Sequence, residues 1–192
     1  MTSYTAFLRG INVGGHKRVG MDRLRRAVAA LGFHNVETLL ASGNILFETR
    51  ATDARALVAA IERRIRQACG LEVSVVLRTR RDLEKLLVAN PFKNIRVTPR
   101  TRLFVTFLSE KPRANLKLPY QSPDKSFRIL CRVGGAVCSV LTLGPQWSKN
   151  LRQMNILEKE FGKKITTRSW STVRKCALRS ARLPSGQARR TG

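Results

Sequence analysis

The N-terminal half of the chain alternates short β-rich segments with amphipathic helical segments, and turn residues mark each change. Apolar residues from Met21 to Leu31 recur at helical spacing, and Gly32 follows where a C-cap glycine belongs. Ser42-Gly43-Asn44 separates two apolar runs, as in a tight hairpin. The predicted elements are a strand at 4–9, a helix at 21–31, strands at 36–41 and 45–48, a helix at 52–68 and a strand at 73–77. This βαββαβ order favours a ferredoxin-like unit, an antiparallel sheet with two helices on one face.

A similar order of segments returns in the second half. Strands are predicted at 102–108, 127–132, 136–143 and 165–168, with a short helix at 112–118, a longer one at 150–161 and a closing helix at 170–183. We therefore predict an α+β protein of two ferredoxin-like units plus a C-terminal helix. The predicted divisions are a first unit at 1–79, a connector at 80–100 with a short helix, a second unit with the closing helix at 101–183, and a disordered basic tail at 184–192.

The charge of the chain is strongly positive. Lys and Arg number 37 against 12 Asp and Glu, a formal net charge of +25. Self-repulsion on this scale favours an anionic partner, either nucleic acid or a phosphate-bearing ligand. The alternative is a set of solvated helix faces with no ligand, because many of the arginines fall on predicted helices. These are Arg23, Arg25, Arg26, Arg63, Arg64 and Arg66.

The cysteines indicate neither a metal site nor a redox motif. Cys69, Cys131, Cys138 and Cys176 contain no C-x-x-C pair and have no histidine at metal-ligand spacing. We expect four free thiols, no metal and no cofactor. No segment has the length of a membrane span, and the N-terminus does not resemble a signal peptide, so a cytoplasmic location is predicted.

Six short motifs are spread along most of the chain. They are Leu8-Arg9-Gly10-Ile11-Asn12-Val13-Gly14-Gly15, Met21-Asp22-Arg23-Leu24, Leu31-Gly32-Phe33, Ser42-Gly43-Asn44, Asn90-Pro91-Phe92 and Thr166-Thr167-Arg168-Ser169-Trp170-Ser171-Thr172-Val173. In these motifs the sequence resembles a bacterial family known only as domain of unknown function 1697. The resemblance implies paired ferredoxin-like domains, and it implies no activity, cofactor or catalytic residue. The family usually has Asn where this chain has Ser169 and Ser171.

The glycine-rich turn after the first strand is the first candidate site. Backbone N–H groups before a helix start can hold an anion, and basic side chains stand beside them. The turn matches neither a Walker loop nor a dinucleotide fingerprint, so a purely structural turn is the alternative. The amides of two turn asparagines either fix the loops or reach a ligand. The candidate ligand-binding residues are Arg9, Gly10, Asn12, Gly14, Gly15, His16, Lys17, Ser42 and Asn44.

A second candidate site surrounds the start of the closing helix. Arg168, Trp170, Arg174 and Lys175 combine cations with an aromatic ring, as in proteins that stack single-stranded nucleic acid. Core packing of Trp170 is the alternative. Ser169 or Ser171 is expected to cap the helix.

Three functions stay open on this evidence, and the sequence identifies no reaction. The first is a binding protein for nucleic acid or another polyanion. The second is an enzyme or sensor for a small phosphorylated or nucleotide ligand held at the Gly10–Lys17 turn. The third is an interaction or assembly protein without catalysis. No paired carboxylates or histidine triad support a catalytic centre.

Overall fold

The computed structural model describes residues 1–12, 19–110, 116–144 and 151–182, without the side chains of residues 151–153. Within these ranges the protein is a mixed α+β structure with two antiparallel sheets and five helices. It divides into two compact units. Among the described residues, unit 1 is Met1–Leu83 together with Lys175–Arg182, and unit 2 is Glu84–Arg174. The predicted α+β class is therefore confirmed.

The elements follow one another in this order: β1 (Thr2–Leu8), α1 (Met21–Ala29), β2 (His34–Leu39), β3 (Asn44–Thr49), α2 (Ala54–Cys69), β4 (Val75–Thr79), α3 (Arg80–Ala89), β5 (Thr101–Leu108), β6 (Tyr120–Gln121), β7 (Phe127–Val133), β8 (Ala136–Thr142), α4 (Leu151–Phe161), β9 (Ile165–Ser169) and α5 (Trp170–Arg182).

The sheet of unit 1 has the strand order β2-β3-β1-β4. Alternate residues of β1, namely Tyr4, Ala6 and Leu8, belong to a core that α1 and α2 share with the sheet. The helix residues buried in this core are Leu24, Val28, Leu57, Ile61 and Ile65. Apolar spacing of three and four residues along both helices produces this stripe, which places α1 and α2 on one face of the sheet.

The ends of α2 follow the expected capping chemistry. The Asp53 carboxylate accepts hydrogen bonds from the N–H groups of Arg55, at 2.9 Å, and Ala56, at 3.1 Å. Gly70 ends the helix with a φ of 69°, a left-handed conformation that glycine adopts without steric strain.

The part of α5 that belongs to unit 1 is attached to two strands of its sheet. Ser180 and Ser3 share a hydrogen bond of 3.0 Å between their hydroxyls. The Arg179 guanidinium donates two hydrogen bonds to the Glu37 carboxylate, at 2.6 and 3.0 Å. The last turns of α5 are thus anchored on β1 and β2.

The sheet of unit 2 has the strand order β6-β7-β8-β5-β9. Its core joins Leu108, Ile129 and Val137 of the sheet to Leu157 and Phe161 of α4. The edge strand β6 was not expected from the sequence, because a strand of two residues leaves no periodic pattern. Residues 116–118 of the predicted helix at 112–118 are not helical, and residues 112–115 lie outside the described ranges.

The short helix predicted within the connector is longer in the structure, where α3 begins directly after β4. Thr79 and Asp82 form a capping box: the Asp82 carboxylate accepts from the Thr79 N–H at 3.0 Å, and the Asp82 N–H donates to Thr79 Oγ1 at 3.1 Å. The helix ends at Ala89, directly before Asn90-Pro91, because the residue before a proline is disfavoured in the helical conformation. No helix in the described ranges has the length and apolar character needed to cross a membrane.

Candidate functional site

The loop after β1 and the β2–β3 hairpin lie at the same end of the sheet of unit 1. The Leu8 N–H donates to the Gly43 carbonyl at 2.8 Å, and Phe7 is opposite Asn44 in the sheet register. The sequence alone does not determine whether these two turns meet. They meet because β1 and β3 are adjacent antiparallel strands, so the end of one faces the start of the other.

The Asn12 side chain connects both turns. Its Nδ2 donates to the carbonyls of Val19, at 3.1 Å, and Ala41, at 2.9 Å. Its Oδ1 accepts from the Val19 N–H at 2.8 Å. Both N–H donors and one lone pair of the amide are therefore engaged within the protein. Of the two roles foreseen for this amide, the contacts support the fixing of the loop.

Asn44 and Ser42 hold the hairpin in the same way. Asn44 is fully buried, and its Nδ2 donates to the Leu39 carbonyl at 2.6 Å and to Ser42 Oγ at 3.1 Å. A buried amide engaged in this way fixes the turn conformation. Both side chains are thus part of the hairpin's own hydrogen bonding.

Gly43 lies where only glycine fits. Its φ is 76°, and a Cβ atom there would lie 2.5 Å from Ile11 Cδ1, 2.7 Å from Ile11 Cγ1 and 3.0 Å from the Leu8 Cβ. The fully buried Ile11 therefore packs directly on the hairpin backbone. This close approach fixes how the loop after β1 leaves the sheet.

The remaining candidates of the glycine-rich turn divide into two groups. Arg9 is half-buried with its N–H bonded to the Ser74 carbonyl at 2.9 Å, and Gly10 is exposed with a φ of 67°. Gly14, Gly15, His16 and Lys17 lie outside the described residues. A phosphate site at this turn accordingly stays a prediction.

The N-terminus of α1 already has a negative charge of its own. Asp22 lies in the first turn and forms ion pairs with Arg25, at 2.8 Å, and with Arg26. The hydrogen bond from Arg25 lowers the pKa of Asp22 below its usual value. The negative charge of Asp22 is stabilised by the positive end of the helix dipole, and it would repel a second anion bound there.

The second candidate site is only partly on the surface. Arg168 is buried, and its guanidinium donates to Thr166 Oγ1 at 2.8 Å and to the Thr167 carbonyl at 2.9 Å. Trp170 is half-buried, with its ring 5.3 Å from the buried ring of Phe92. Arg174 is exposed in unit 2, and Lys175, the next residue of α5, is exposed in unit 1.

Ser169 is the residue that caps α5. Its Oγ accepts from the Thr172 N–H at 3.2 Å and shares further hydrogen bonds with the hydroxyls of Ser171 and Thr172, both at 2.9 Å. Of the two serines expected to cap the helix, Ser169 therefore does so.

Sequence reasoning missed a stretch of unit 2 that we call the basic segment, residues 85–102. It contains five exposed cations and no acidic residue. They are Lys85, Lys93, Arg96, Arg100 and Arg102. The sequence contains a signal for it, because no Asp or Glu occurs between Glu84 and Glu110. Classifying most of this stretch as a connector concealed that signal.

The basic segment is an ordered structure. Thr98 and Thr101 are linked by a hydroxyl pair at 2.9 Å and by a Thr101 N–H to Thr98 carbonyl bond, also at 2.9 Å. The Arg102 guanidinium donates to the carbonyls of Pro99, at 2.8 Å, and Thr101, at 3.0 Å. Phe92, near the middle of the segment, contacts the ring of Trp170. Cations and a half-exposed aromatic ring therefore occur together in unit 2.

The arginines of α1 and α2 are largely used within unit 1. Arg23 donates to the Ala68 carbonyl near the end of α2, at 2.6 and 3.0 Å, and Arg64 donates to the Ala27 carbonyl near the end of α1, at 3.3 Å. Arg66 pairs with Glu72 at 2.6 Å. Within the described part of the chain, three exposed arginines of this region have neither an ion-pair partner nor a side-chain hydrogen bond: Arg50, Arg55 and Arg63.

All four cysteines are free thiols. Among the residues that the structure describes, no group of three or more His, Cys, Asp or Glu side chains could hold a metal ion.

Comparison with known proteins gives a family and a fold. A family model described as a protein of unknown function, DUF1697, matches residues 1–129. The chain belongs to this family. Its structure is similar to that of the conserved bacterial protein SP0830 from Streptococcus pneumoniae, with a TM-score of 0.70 and 24% identity over 93% of this chain and 98% of the other. No curated protein matches the chain. The family and the structural neighbour support the fold and specify no activity.

Proposed function

We propose that this protein binds a polyanion, and specifically single-stranded nucleic acid, through the basic segment of unit 2. The observation that carries the proposal is the acid-free run of five exposed cations, anchored next to the half-buried Trp170. Cations neutralise phosphates, and an aromatic ring stacks on bases without regard to their sequence. The net charge of +25 supports the same partner by steering anions toward the protein.

The size of the electrostatic effect follows from the number of cations. If each cation of the basic segment neutralises one phosphate, the logarithm of the affinity falls with the logarithm of the salt concentration with a slope of about −3.5 from this segment alone. Three of these cations contribute about −2 to the slope. Their removal should therefore weaken binding by roughly 100-fold near 0.1 M salt.

The test is a fluorescence anisotropy titration of labelled single-stranded RNA and DNA at several salt concentrations. One variant carries Lys93→Gln, Arg96→Gln and Arg100→Gln. The matched control carries Arg50→Gln, Arg55→Gln and Arg63→Gln, which removes the same charge without breaking an ion pair among the described residues. We expect the first variant to lose roughly 100-fold in affinity and the control to lose far less.

Two outcomes contradict the proposal. Equal weakening of both variants would assign binding to net charge rather than to the basic segment. Absence of binding by the wild-type protein at about 50 mM salt, where phosphate contacts are strongest, would remove polyanion binding altogether.

We also infer that both units share the strand arrangement of a ferredoxin-like fold, although in the described part of unit 2 the strand β6, and no helix, lies between β5 and β7. Within the two sheets, β2-β3-β1-β4 and β7-β8-β5-β9 are arranged alike. The Leu8 N–H bonds to the Gly43 carbonyl at 2.8 Å in unit 1, and the Leu108 N–H bonds to the Gly135 carbonyl at 2.9 Å in unit 2. Thr5 is opposite Arg78, as Val105 is opposite Arg168. In each unit the last strand runs directly into a helix.

A cytoplasmic location and the predicted boundaries at 79, 100 and 183 are also proposals. Four free thiols favour a reducing compartment. Fractionation of cells that produce the protein would test the location, and limited proteolysis would test the boundaries.

A further inference from the structure

Two of the free cysteines are opposite each other in the β7–β8 hairpin of unit 2. The strands are joined by Gly134-Gly135, and Cys131 is paired in register with Cys138. Directly opposed residues of antiparallel strands have Cα atoms about 4.5–5.5 Å apart and side chains on the same face. Disulfides span Cα separations of roughly 4.4–6.8 Å. The register therefore permits a bond between the two sulfurs.

The two thiols also differ in their surroundings. Cys138 is fully buried, whereas Cys131 is half-buried. Burial is the main cause that raises the pKa of Cys138, and the neighbouring Cys131 raises it further. Cys131, which is nearer to solvent, is the thiol that an oxidant can reach first, and Cys138 is the thiol placed to resolve the product.

We propose that Cys131 and Cys138 are a redox-sensitive pair that forms a reversible disulfide on exposure to a peroxide. The Cys131 thiolate attacks one peroxide oxygen, the O–O bond breaks, and a sulfenic acid forms with release of water after protonation. The sulfur of Cys138 then attacks the sulfenic sulfur and expels a second water as the S–S bond forms. Two thiols are oxidised by two electrons in total, and one hydrogen peroxide is reduced to two waters.

The pair is distinct from the other cysteines, which serve as internal controls. Cys69 lies at the end of α2 and Cys176 lies on α5, both in unit 1. In a reducing compartment a disulfide is usually transient, which fits a redox sensor better than a permanent structural disulfide. Formation of this disulfide does not depend on nucleic-acid binding.

Peptide mapping of the wild-type protein tests the proposal without any variant. Trypsin cleavage after Arg128 and Arg132 separates Cys131 from Cys138, which lies in the peptide that runs to Lys149. After treatment with hydrogen peroxide and blocking of free thiols, we expect these two peptides to be linked and about 2 Da lighter than their sum. Dithiothreitol should reverse the link. Alkylatable thiols should fall from four to two.

Variants provide the second measurement. A Cys69→Ser, Cys176→Ser protein should form the link as the wild type does, whereas Cys131→Ser should abolish it. The proposal is overturned if the folded wild-type protein forms no link between the two peptides, or if the links join other cysteines at the same rate.

Discussion

Replacement of Gly43 by alanine tests the close packing between the β2–β3 hairpin and Ile11. Two costs add at this position. A left-handed backbone conformation costs a residue with a Cβ about 1–2 kcal/mol. Overpacking against Ile11 Cδ1 at 2.5 Å and Cγ1 at 2.7 Å costs about 1–3 kcal/mol more. We therefore expect Gly43→Ala to lower the free energy of unfolding by about 2–5 kcal/mol, which lowers Tm by roughly 4–20 °C.

Gly70→Ala is the matched control, because it separates the backbone cost from the packing cost. Gly70 has a φ of 69°, close to the 76° of Gly43, but no atom of the described residues lies within 4 Å of the point that a Cβ at Gly70 would occupy. Thermal unfolding followed by circular dichroism should show a loss for Gly43→Ala that exceeds the loss for Gly70→Ala by about 1–3 kcal/mol.

The double variant Ile11→Ala, Gly43→Ala completes the experiment. Removal of the Ile11 side chain leaves room for the new methyl group, so the double variant should be more stable than the sum of the two single losses predicts, by about 1–3 kcal/mol. Equal losses at Gly43 and Gly70, or strict additivity with Ile11→Ala, would refute the argument from close packing.

Two further predictions concern single side chains. Asn12→Ala removes three hydrogen bonds and should lower the free energy of unfolding, measured by urea denaturation, by about 2–4 kcal/mol. A decrease below about 1 kcal/mol would show that these hydrogen bonds do not fix the loop. Hydrogen bonds from Ser122 and Ser126 lower the pKa of Asp124, so its carboxylate stabilises the fold above the unfolded-state pKa of about 3.9, and this stabilisation is lost as pH falls through the lower folded-state pKa. The stability difference between wild type and Asp124→Asn in urea should therefore shrink below about pH 4, and a difference that is constant with pH would contradict this role.

The periodic features of the fold could be predicted from the sequence. The stripes of α1 and α2, the stop at Gly70 and the hairpin around Gly43 follow from local spacing and turn chemistry. Strand ends were less predictable. The strand predicted at 36–41 extends two residues past the observed end of β2 at Leu39, because Leu40 has a φ of 60° and already belongs to the turn.

The candidate sites required the tertiary structure. Asn12 and Arg168 were candidate ligand contacts, and for Asn12 the fixing of the loop was the stated alternative. Their partners within the protein, Ala41 and Thr166 among them, are visible only in the fold. The basic segment was predictable in charge, because the absence of acidic residues is a sequence property. The exposure of its cations and the contact between Phe92 and Trp170 depend on the tertiary structure and could not be predicted from the sequence.

The hydrogen bonds of the Asn12 side chain also make the loop after β1 a promising place for protein engineering. This side chain joins residue 12 to residue 19, so the base of the loop is closed by hydrogen bonds that do not involve the residues between them. Each doubling of the number of residues between two fixed chain positions costs only about 0.6 kcal/mol of closure entropy. A peptide tag or a reporter sequence inserted between these two positions should therefore leave the sheet of unit 1 intact.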